Sequence, residues 1–370
     1  MIYYGKQSIN QDDIDAVTEV LKSDFLTQGP KVSEFEKDLK IYCDAKFAKV
    51  VSNATAALHL AYLAIGIQKG DIVWTSPNTF VSTANAAKFC GAEVDFVDID
   101  PETYNISIDS LKEKLTKAKQ NNKLPKLVVP VHFSGQSCQM QEISELSKEY
   151  GFRVIEDASH ALGGNYKNKK VGSCEFSDMA IFSFHPVKMI TTGEGGAITT
   201  NDPNLDEKVS LLRTHGITKD AKKFEKEPHG DWYYEQKVLG YNYRLTDMQA
   251  ALGISQLKRL DKFISRRKEI ARFYLDNLKE MVLPFQHHDT NSSWHLFVIQ
   301  TENRKKVYED LIKKGIQTQV HYIPVNAQPY YKSSSLSNCN NFYSKCLSLP
   351  LYPDLTNEEL ELVVRSFENN

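Results

Sequence analysis

The chain has 370 residues, of which 41% are hydrophobic and 25% are charged, and its 45 basic residues nearly balance its 47 acidic ones. This composition is typical of a folded protein with a sizeable core and argues against long disordered regions. The formal net charge of -2 argues against broad attraction to nucleic acid or to an anionic membrane, so an anionic ligand must be held locally.

The N-terminus, MIYYGKQSINQDD, lacks the basic and apolar regions of a secretion signal, and no apolar run reaches membrane-spanning length. We therefore expect a cytoplasmic protein with neither a membrane nor a nucleic-acid partner. The six cysteines form no CxxC pair, which argues against a zinc site, and a chain of this length does not need disulfides. We expect reduced thiols and no bound metal.

Apolar segments of strand length alternate with helical patterns through the first 200 residues. This order builds a mostly parallel sheet covered by helices, so the sequence predicts an α/β fold. The predicted strands are 47–52, 71–76, 92–99, 126–132, 152–157, 179–184 and AITTN at 197–201, and the helices between them are 54–66, 83–89, 108–120 and 140–150.

The pattern changes near residue 245, where residues 245–278 keep helical spacing for about nine turns. A strand at 295–301, a helix at 307–315, an extended segment at 318–324 and a helix from Asn357 follow. We predict a large domain at 1–250, whose N-terminal segment contributes to the substrate site, and a small α+β domain at 251–370. The long, charged and aromatic loop at 219–244 indicates a functional loop or one that packs on a partner.

A lysine follows the strand at 179–184 directly, in the run FSFHPVKMITTGEGG. Ligands of open α/β sheets bind at the carboxyl ends of strands, so Lys188 is placed where a ligand would lie. A buried ammonium is costly, and a lysine with a depressed pKa is what imine chemistry with a carbonyl requires. Taken alone, Lys188 is better explained as a lysine whose amine reaches water from a strand end.

Three further features point to one cofactor. Asp157 ends the strand at 152–157, where its carboxylate could pair with a protonated ring nitrogen. The helix start in SNATAALHL offers backbone N–H groups to a phosphate, and Ser183 could add a hydroxyl. Each feature alone is explained by helix capping or a turn, but together they describe pyridoxal 5'-phosphate. Once an amino-acid donor displaces it, Lys188 could carry a proton as general base and acid.

Several runs of the sequence resemble one family, in order from about residue 29 to 260. They include SNATAALHLA, GAEVDFVDIDPETYNI, IEDASHALGGNY, FSFHPVKMITTGEGGAITTND and GYNYRLTDMQAALG. This pattern resembles the DegT/DnrJ/EryC1/StrS nucleotide-sugar aminotransferases. The resemblance implies a fold-type I aminotransferase with a mostly parallel seven-stranded sheet in the large domain and a small α+β C-terminal domain. It also implies a homodimer whose active sites lie at the subunit interface.

The resemblance further implies roles for single residues. Lys188 would bind the cofactor covalently, Asp157 would contact the pyridine nitrogen, and Phe80 would stack on the ring. The phosphate would be held by Asn53, Ala54, Thr55 and Ser183, joined by Asn242 of the other subunit. His160 lies where many members carry glutamine near the ring hydroxyl, and the run Asn-Ala-Thr at 53–55 replaces the commoner Gly-Thr.

The resemblance places the nucleotide-sugar contacts near both ends of the chain. The implied residues are Tyr4, Phe25, Leu26, Thr27, His321 and Tyr322. For Tyr4 and Tyr322, packing in the core or at an interface explains the residue equally well.

The implied reaction moves an amino group from L-glutamate, through the cofactor, to C4 of a 4-keto-6-deoxy nucleotide sugar. SHALGGNYKNKKVG, HPVK and QVHYIPVNAQPYY most resemble the branch that aminates UDP-2-acetamido-2,6-dideoxy-β-L-arabino-hex-4-ulose in pseudaminic acid synthesis. Amination of another keto-sugar, such as a precursor of bacillosamine or perosamine, stays open. Lys188 argues against a sugar dehydratase on the same scaffold, because those enzymes have histidine at this position. A non-catalytic regulator of this fold usually carries an added DNA-binding segment, and we expect none in this chain.

Overall fold

The computed structural model describes residues 1–367. The strands are β1 (Phe47–Val51), β2 (Ile72–Thr75), β3 (Glu93–Phe96), β4 (Leu127–Val129), β5 (Arg153–Asp157), β6 (Asn165–Tyr166), β7 (Lys169–Lys170), β8 (Met179–Ser183), β9 (Gly196–Thr200), β10 (Ile217–Thr218), β11 (Glu235–Gln236), β12 (Thr290–Asn291), β13 (Phe297–Gln300) and β14 (Cys346–Leu349).

The helices surround these strands. They are α1 (Gln11–Leu21), α2 (Pro30–Cys43), α3 (Ala54–Ala64), α4 (Ser82–Phe89), α5 (Ile108–Gln120), α6 (Met140–Tyr150), α7 (Pro203–Arg213), α8 (Asp247–Lys258), α9 (Leu260–Asn277), α10 (Arg304–Lys313), α11 (Ser337–Lys345) and α12 (Asn357–Arg365). Within residues 1–367, none of them combines the length and the apolar composition that crossing a membrane requires.

Seven strands form one sheet in the order β1-β9-β8-β5-β4-β2-β3. The pairs among β2, β3, β4, β5 and β8 are parallel, whereas β9 runs antiparallel to both of its neighbours. The sheet is therefore mostly parallel, and the predicted α/β fold with seven strands is confirmed. The carboxyl ends of β5 and β8 lie side by side at one edge.

Helices cover both faces of this sheet, which is why its central strands read as continuous apolar runs. All residues of β4 and β9 are buried. Neighbouring residues of β8 point to opposite faces, so Phe182 packs with Phe35 of α2 while Ile181 packs with Leu58 of α3. One apolar core therefore packs on each face of the sheet, and together they hold in place the edge at which β5 and β8 end.

A second, smaller core lies around the antiparallel pair of β13 and β14. Ile2 belongs to it, because its N–H and C=O groups bond to Gly315 and Gln317, each at 2.8 Å. The predicted domain boundary at residue 250 stays a prediction. Along α9 the contacts change from the large-sheet core at Phe263 to the smaller core at Tyr274.

The structure differs from the sequence predictions in the C-terminal third. The uninterrupted helix predicted at 245–278 is wrong, because the helix is broken at Arg259. The Arg259 N–H bonds three residues back, to Gln256 at 3.0 Å, and its guanidinium pairs with buried Asp13. The extended segment at 318–324 makes only a one-residue bridge, between Gln319 and Ser348, and otherwise follows an irregular path.

Candidate functional site

A cavity of about 880 Å³ opens where β5 and β8 end, a size typical of small-molecule sites. Two of its sides differ in origin. We call one the strand-end wall, formed by Asn53, Ala54, Thr55, Asp157, Ser183 and Lys188. We call the other the C-terminal wall, formed by His295, Gln319, Val320, His321, Tyr322 and Ile323. The cavity therefore brings together segments that lie far apart in the sequence.

Lys188 lies in the loop after β8, where its N–H donates to the C=O of His185 at 2.9 Å. Its side chain is partly exposed at the cavity surface. Burial lowers the pKa of the amine to about 8, and the nearby Asp157 carboxylate acts in the opposite direction. A substantial fraction of the amine is therefore neutral near physiological pH, which nucleophilic attack on a carbonyl requires.

Asp157 is the last residue of β5 and is buried. Its Oδ2 accepts a hydrogen bond from the Thr83 hydroxyl at 2.6 Å, and its Oδ1 accepts one from the Ser159 N–H at 3.2 Å. These donors fix the carboxylate in the cavity wall. Sequence reasoning missed Thr83, although it lies in the run NTFVSTANA; its contact with Asp157 spans 74 residues.

The start of α3 is built to accept an anion. The Asn53 side chain caps the helix by accepting from the Ala56 N–H at 2.8 Å, so the N–H groups of Ala54 and Thr55 have no acceptor among residues 1–367. Gly196 packs against this turn, since a Cβ there would lie 2.7 Å from the Ala54 nitrogen. The free N–H pair and the helix dipole favour a phosphate at this point.

His160 connects the two sides of the cavity. It is buried, its Nδ1 accepts from the Ser134 N–H at 3.3 Å, and its Nε2 lies 3.0 Å from the Tyr322 hydroxyl. Burial, with smaller contributions from Lys188 and His321, holds the pKa of His160 well below its usual value. The ring is therefore neutral.

The C-terminal wall carries no charge at neutral pH. Burial and then Lys188 lower the pKa of His321 to about 3, and its Nδ1 lies 2.8 Å from the Ser348 hydroxyl. Burial likewise holds the pKa of His295 far below its usual value. The pKa of Tyr322 is raised by burial and by the carboxylate of Asp157.

The predicted site residues divide into two groups. Tyr4 and Phe80 also line the cavity, and Phe80 as a whole residue is 59% exposed. Four predicted residues do not line this cavity: Phe25, Leu26, Thr27 and Asn242. The first three belong to an exposed segment that packs on the start of α8, where the Leu26 C=O accepts from the Asp247 N–H at 3.0 Å. Their roles stay predictions.

Sequence reasoning also missed His295 in the cavity wall. The available signal was the run SSWH, which has polar residues on both sides of a tryptophan and ends two residues before the largely buried strand β13. A polar run before a strand is common, so this signal alone could not have placed the imidazole beside Lys188.

The groups in the strand-end wall fit pyridoxal phosphate. The phosphate would face the free N–H groups at the start of α3, the pyridine nitrogen would face the buried Asp157, and the aldehyde would face the Lys188 amine. A chain with this fold and this set of groups is an aminotransferase of fold type I.

Comparisons with known proteins agree with that class. The model of the DegT/DnrJ/EryC1/StrS aminotransferase family matches residues 7–368. The chain therefore belongs to this family, its cofactor is pyridoxal phosphate, and the predicted family, enzyme class and cofactor are confirmed.

Individual relatives cover nearly the whole chain. The chain is 43% identical over 376 residues to the UDP-4-amino-4,6-dideoxy-N-acetyl-beta-L-altrosamine transaminase of Campylobacter jejuni strain 81-176, covering 98% of this chain and 96% of the relative. Helicobacter pylori PseC, an aminotransferase involved in the biosynthesis of pseudoaminic acid, has a TM-score of 0.91 at 33% identity, over 100% of this chain and 98% of its own. The PLP form of Streptococcus pneumoniae Spr1654 has a TM-score of 0.89 at 26% identity, with the same coverage.

Proposed function

We propose that the protein transfers the amino group of L-glutamate to C4 of UDP-2-acetamido-2,6-dideoxy-β-L-arabino-hex-4-ulose. The product would be UDP-4-amino-4,6-dideoxy-N-acetyl-β-L-altrosamine, an intermediate of pseudaminic acid synthesis. The observation that carries the proposal is a lysine of lowered pKa facing Asp157 in one cavity, in a chain 43% identical to a transaminase named for that product.

Each group of the strand-end wall would have one task. When bound, the cofactor supplies an aldehyde for covalent attachment and an electron-poor ring. Lys188 would hold the cofactor covalently, and its free amine would move a proton at Nζ. Asp157, whose carboxylate is fixed by Thr83 and Ser159, would keep the ring nitrogen protonated. Asn53, Ala54, Thr55 and Ser183 would hold the phosphate, and Phe80 would lie on the ring face.

The nucleotide sugar would occupy the space between Phe80 and the C-terminal wall. Tyr4 supports this placement, because its ring lies 5.5 Å from that of His321 at the cavity surface. The side chains of Tyr4 and His321 are neutral at physiological pH, so they can contact sugar hydroxyls without forming an ion pair with Asp157 in place of Lys188. Specificity for the sugar would then come from shape and neutral hydrogen bonds.

One experiment tests the substrate. The purified enzyme is loaded with pyridoxal phosphate, treated with L-glutamate and followed by absorbance, then mixed with a panel of 4-keto sugars carrying UDP, GDP or dTDP. We expect glutamate to remove the visible band and only UDP-2-acetamido-2,6-dideoxy-β-L-arabino-hex-4-ulose to restore it. NMR of the amino-sugar product should show the altrosamine configuration. Preference for another keto-sugar would replace the substrate, and an unchanged spectrum with glutamate would remove the amino donor.

We also propose a homodimer in which Asn242 completes the site of the partner subunit. Asn242 does not line the cavity of its own chain. The loop that carries it exposes large apolar side chains, with Trp232 73% and Leu239 78% exposed. Such exposure is typical of a surface that another protein covers.

Hybrid dimers test this arrangement. Lys188→Ala and Asn242→Ala chains are co-expressed, and if the proposal holds, a hybrid has one site with both residues intact. Random pairing makes half of the dimers hybrid, so activity should recover to about one quarter of wild type. Activity of only about half that of the Asn242→Ala enzyme, at equal total protein, would place Asn242 in the site of its own chain.

A further inference from the structure

We propose that Tyr322 is a catalytic residue whose hydroxyl donates a hydrogen bond to the keto oxygen of the sugar, and that Ser134 and His160 are positioning residues that orient it. This inference rests on the proposed function, because it requires a carbonyl substrate in the cavity. It assigns to Tyr322 a task beyond contact with the sugar.

The backbone of Ser134 determines where the proton of His160 lies. A backbone N–H can only donate, so the Nδ1 of His160, 3.3 Å from the Ser134 nitrogen, is an acceptor and carries no proton. A neutral imidazole then has its one proton on Nε2. The tautomer is thus assigned from an unambiguous donor.

That tautomer fixes the direction of the next hydrogen bond. The Nε2 of His160 lies 3.0 Å from the Tyr322 oxygen, and because this nitrogen carries the proton, the phenol oxygen must accept. The hydroxyl hydrogen of Tyr322 is then not used, and no acceptor for it occurs among residues 1–367. It is available to a ligand in the cavity that Tyr322 lines.

The chain holds the two positioning residues from several sides. The Ser134 hydroxyl donates to the C=O of Leu296 at 2.6 Å, and the Ser134 C=O accepts from the N–H of His295 at 2.9 Å. The C=O of His160 accepts from the Ser293 hydroxyl at 2.9 Å. A donor oriented in this way does not need to reorganise when charge develops in front of it.

A neutral phenol suits the task of binding a carbonyl oxygen. Attack of the amine on C4 forms a C–N bond and moves an electron pair of the C=O bond onto the keto oxygen, and a hydrogen bond to that oxygen strengthens as the negative charge grows. The protons that the amine gives up would be carried by Lys188 to that oxygen, which then leaves as water. No proton has to leave Tyr322, whose pKa burial raises, so the hydroxyl keeps its hydrogen throughout. Glutamate has no keto oxygen, and its product 2-oxoglutarate gains one only when it is released, so the earlier loss of the visible band with glutamate does not use this donor.

The rates of the two half-reactions, measured separately, distinguish a catalytic role of the Tyr322 hydroxyl from a purely structural role. Tyr322→Phe removes only the hydroxyl and should slow the keto-sugar half-reaction about 10²-fold while changing the glutamate half-reaction less than about threefold. Tyr331→Phe is the matched control, since its hydroxyl bonds to Asn85 at 2.6 Å outside the cavity. That variant should match wild type in both half-reactions.

The outcomes distinguish this inference from the proposed function. If the wild-type enzyme does not react with glutamate, the proposed function fails. If it does, but Tyr322→Phe slows both half-reactions equally or neither, the assignment of Tyr322 is wrong.

The tautomer is tested without measuring turnover. Nitrogen NMR of the holoenzyme with ¹⁵N-labelled histidine should show the signal of His160, identified by its loss in His160→Gln, with a proton on Nε2 and none on Nδ1. A proton on Nδ1, or on both nitrogens at neutral pH, would overturn the orientation of Tyr322.

Discussion

The two walls of the cavity follow opposite electrostatic principles. The strand-end wall carries an amine and a carboxylate, placed by regular elements at the ends of β5 and β8 and at the start of α3. The C-terminal wall carries imidazoles and a phenol that are neutral, and it is built largely from the irregular segment 318–324. The difference agrees with our proposal, in which the charged side would hold the cofactor and the neutral side would recognise the substrate by neutral donors and shape.

Replacing Lys188 should have the largest effect on turnover. It should abolish the function of the strand-end wall and leave substrate binding at the C-terminal wall intact. Lys188→Ala removes both the covalent attachment and the proton carrier, so turnover should fall about 10⁵-fold or more. The C-terminal wall is untouched, so the affinity for the keto-sugar nucleotide, measured by calorimetry with pyridoxamine phosphate bound, should change little.

Exposed Lys117 on α5 offers a control, and Lys117→Ala should retain full turnover. Borohydride trapping and peptide mapping should find the cofactor on Lys188 in wild type. A label on another lysine would contradict the assignment of this wall.

Asp157 should give the next largest effect. Asp157→Asn keeps the shape and the bond from Thr83 but removes the negative charge beside the ring nitrogen. Both half-reactions should slow about 10³-fold, in line with the loss of one partner of a buried charge pair. Stopped-flow absorbance measures both.

Asp178 precedes β8 at the opposite end of the sheet, and Asp178→Asn should leave both rates near wild type. A selective loss of only the keto-sugar half-reaction in Asp157→Asn would mean that the acid serves the substrate and not the cofactor.

A glycine pair tests how tightly the phosphate end of the strand-end wall is packed. Gly196→Ala places a methyl group against the Asn53 and Ala54 backbone and should lower the free energy of unfolding by about 3 kcal/mol. A Cβ at Gly193 would meet open space, and the only cost of Gly193→Ala comes from the positive φ of 76°. We therefore expect this variant to lower the free energy of unfolding by about 1 kcal/mol. Denaturant titration compares them, and equal losses would refute the close packing of Gly196 on α3.

The walls should also differ in their pH dependence. The pKa of Lys188 is lowered to about 8, so its neutral form is a minority below pH 8 and dominates above it. The rate at which the apoenzyme binds pyridoxal phosphate covalently should rise about tenfold per pH unit below 8 and level off above it. His321, with a pKa of about 3, should contribute no step between pH 6 and 9. A rate still rising at pH 10 would indicate an ordinary lysine.

Local sequence patterns predicted the regular half of the site well. Inner strands such as β4 and β8 appear as apolar runs because burial on both faces leaves that signature in the sequence. Asp157 ends one predicted strand and Lys188 lies in the loop after another, and the rule that ligands bind at carboxyl ends then brings them together.

The other half depends on contacts between distant segments. The bond between His160 and Tyr322 spans 162 residues, and that between Ser134 and Leu296 also spans 162. No periodicity in the chain encodes such contacts, because they arise only when the smaller core packs on the large sheet. The break at Arg259 was missed for the same reason, since its guanidinium pairs with Asp13 from the first helix.

The attachment of Ile2 to the smaller core has a practical consequence for anyone who purifies this enzyme. The Tyr4 C=O accepts from the Leu351 N–H at 3.0 Å, and the Tyr4 side chain lines the cavity. The first residues of the chain therefore lie between the cavity and the smaller core. Bulk fused ahead of Met1 would be joined only three residues from Tyr4, whose side chain lines the cavity, which makes the opposite terminus the better location for an affinity tag.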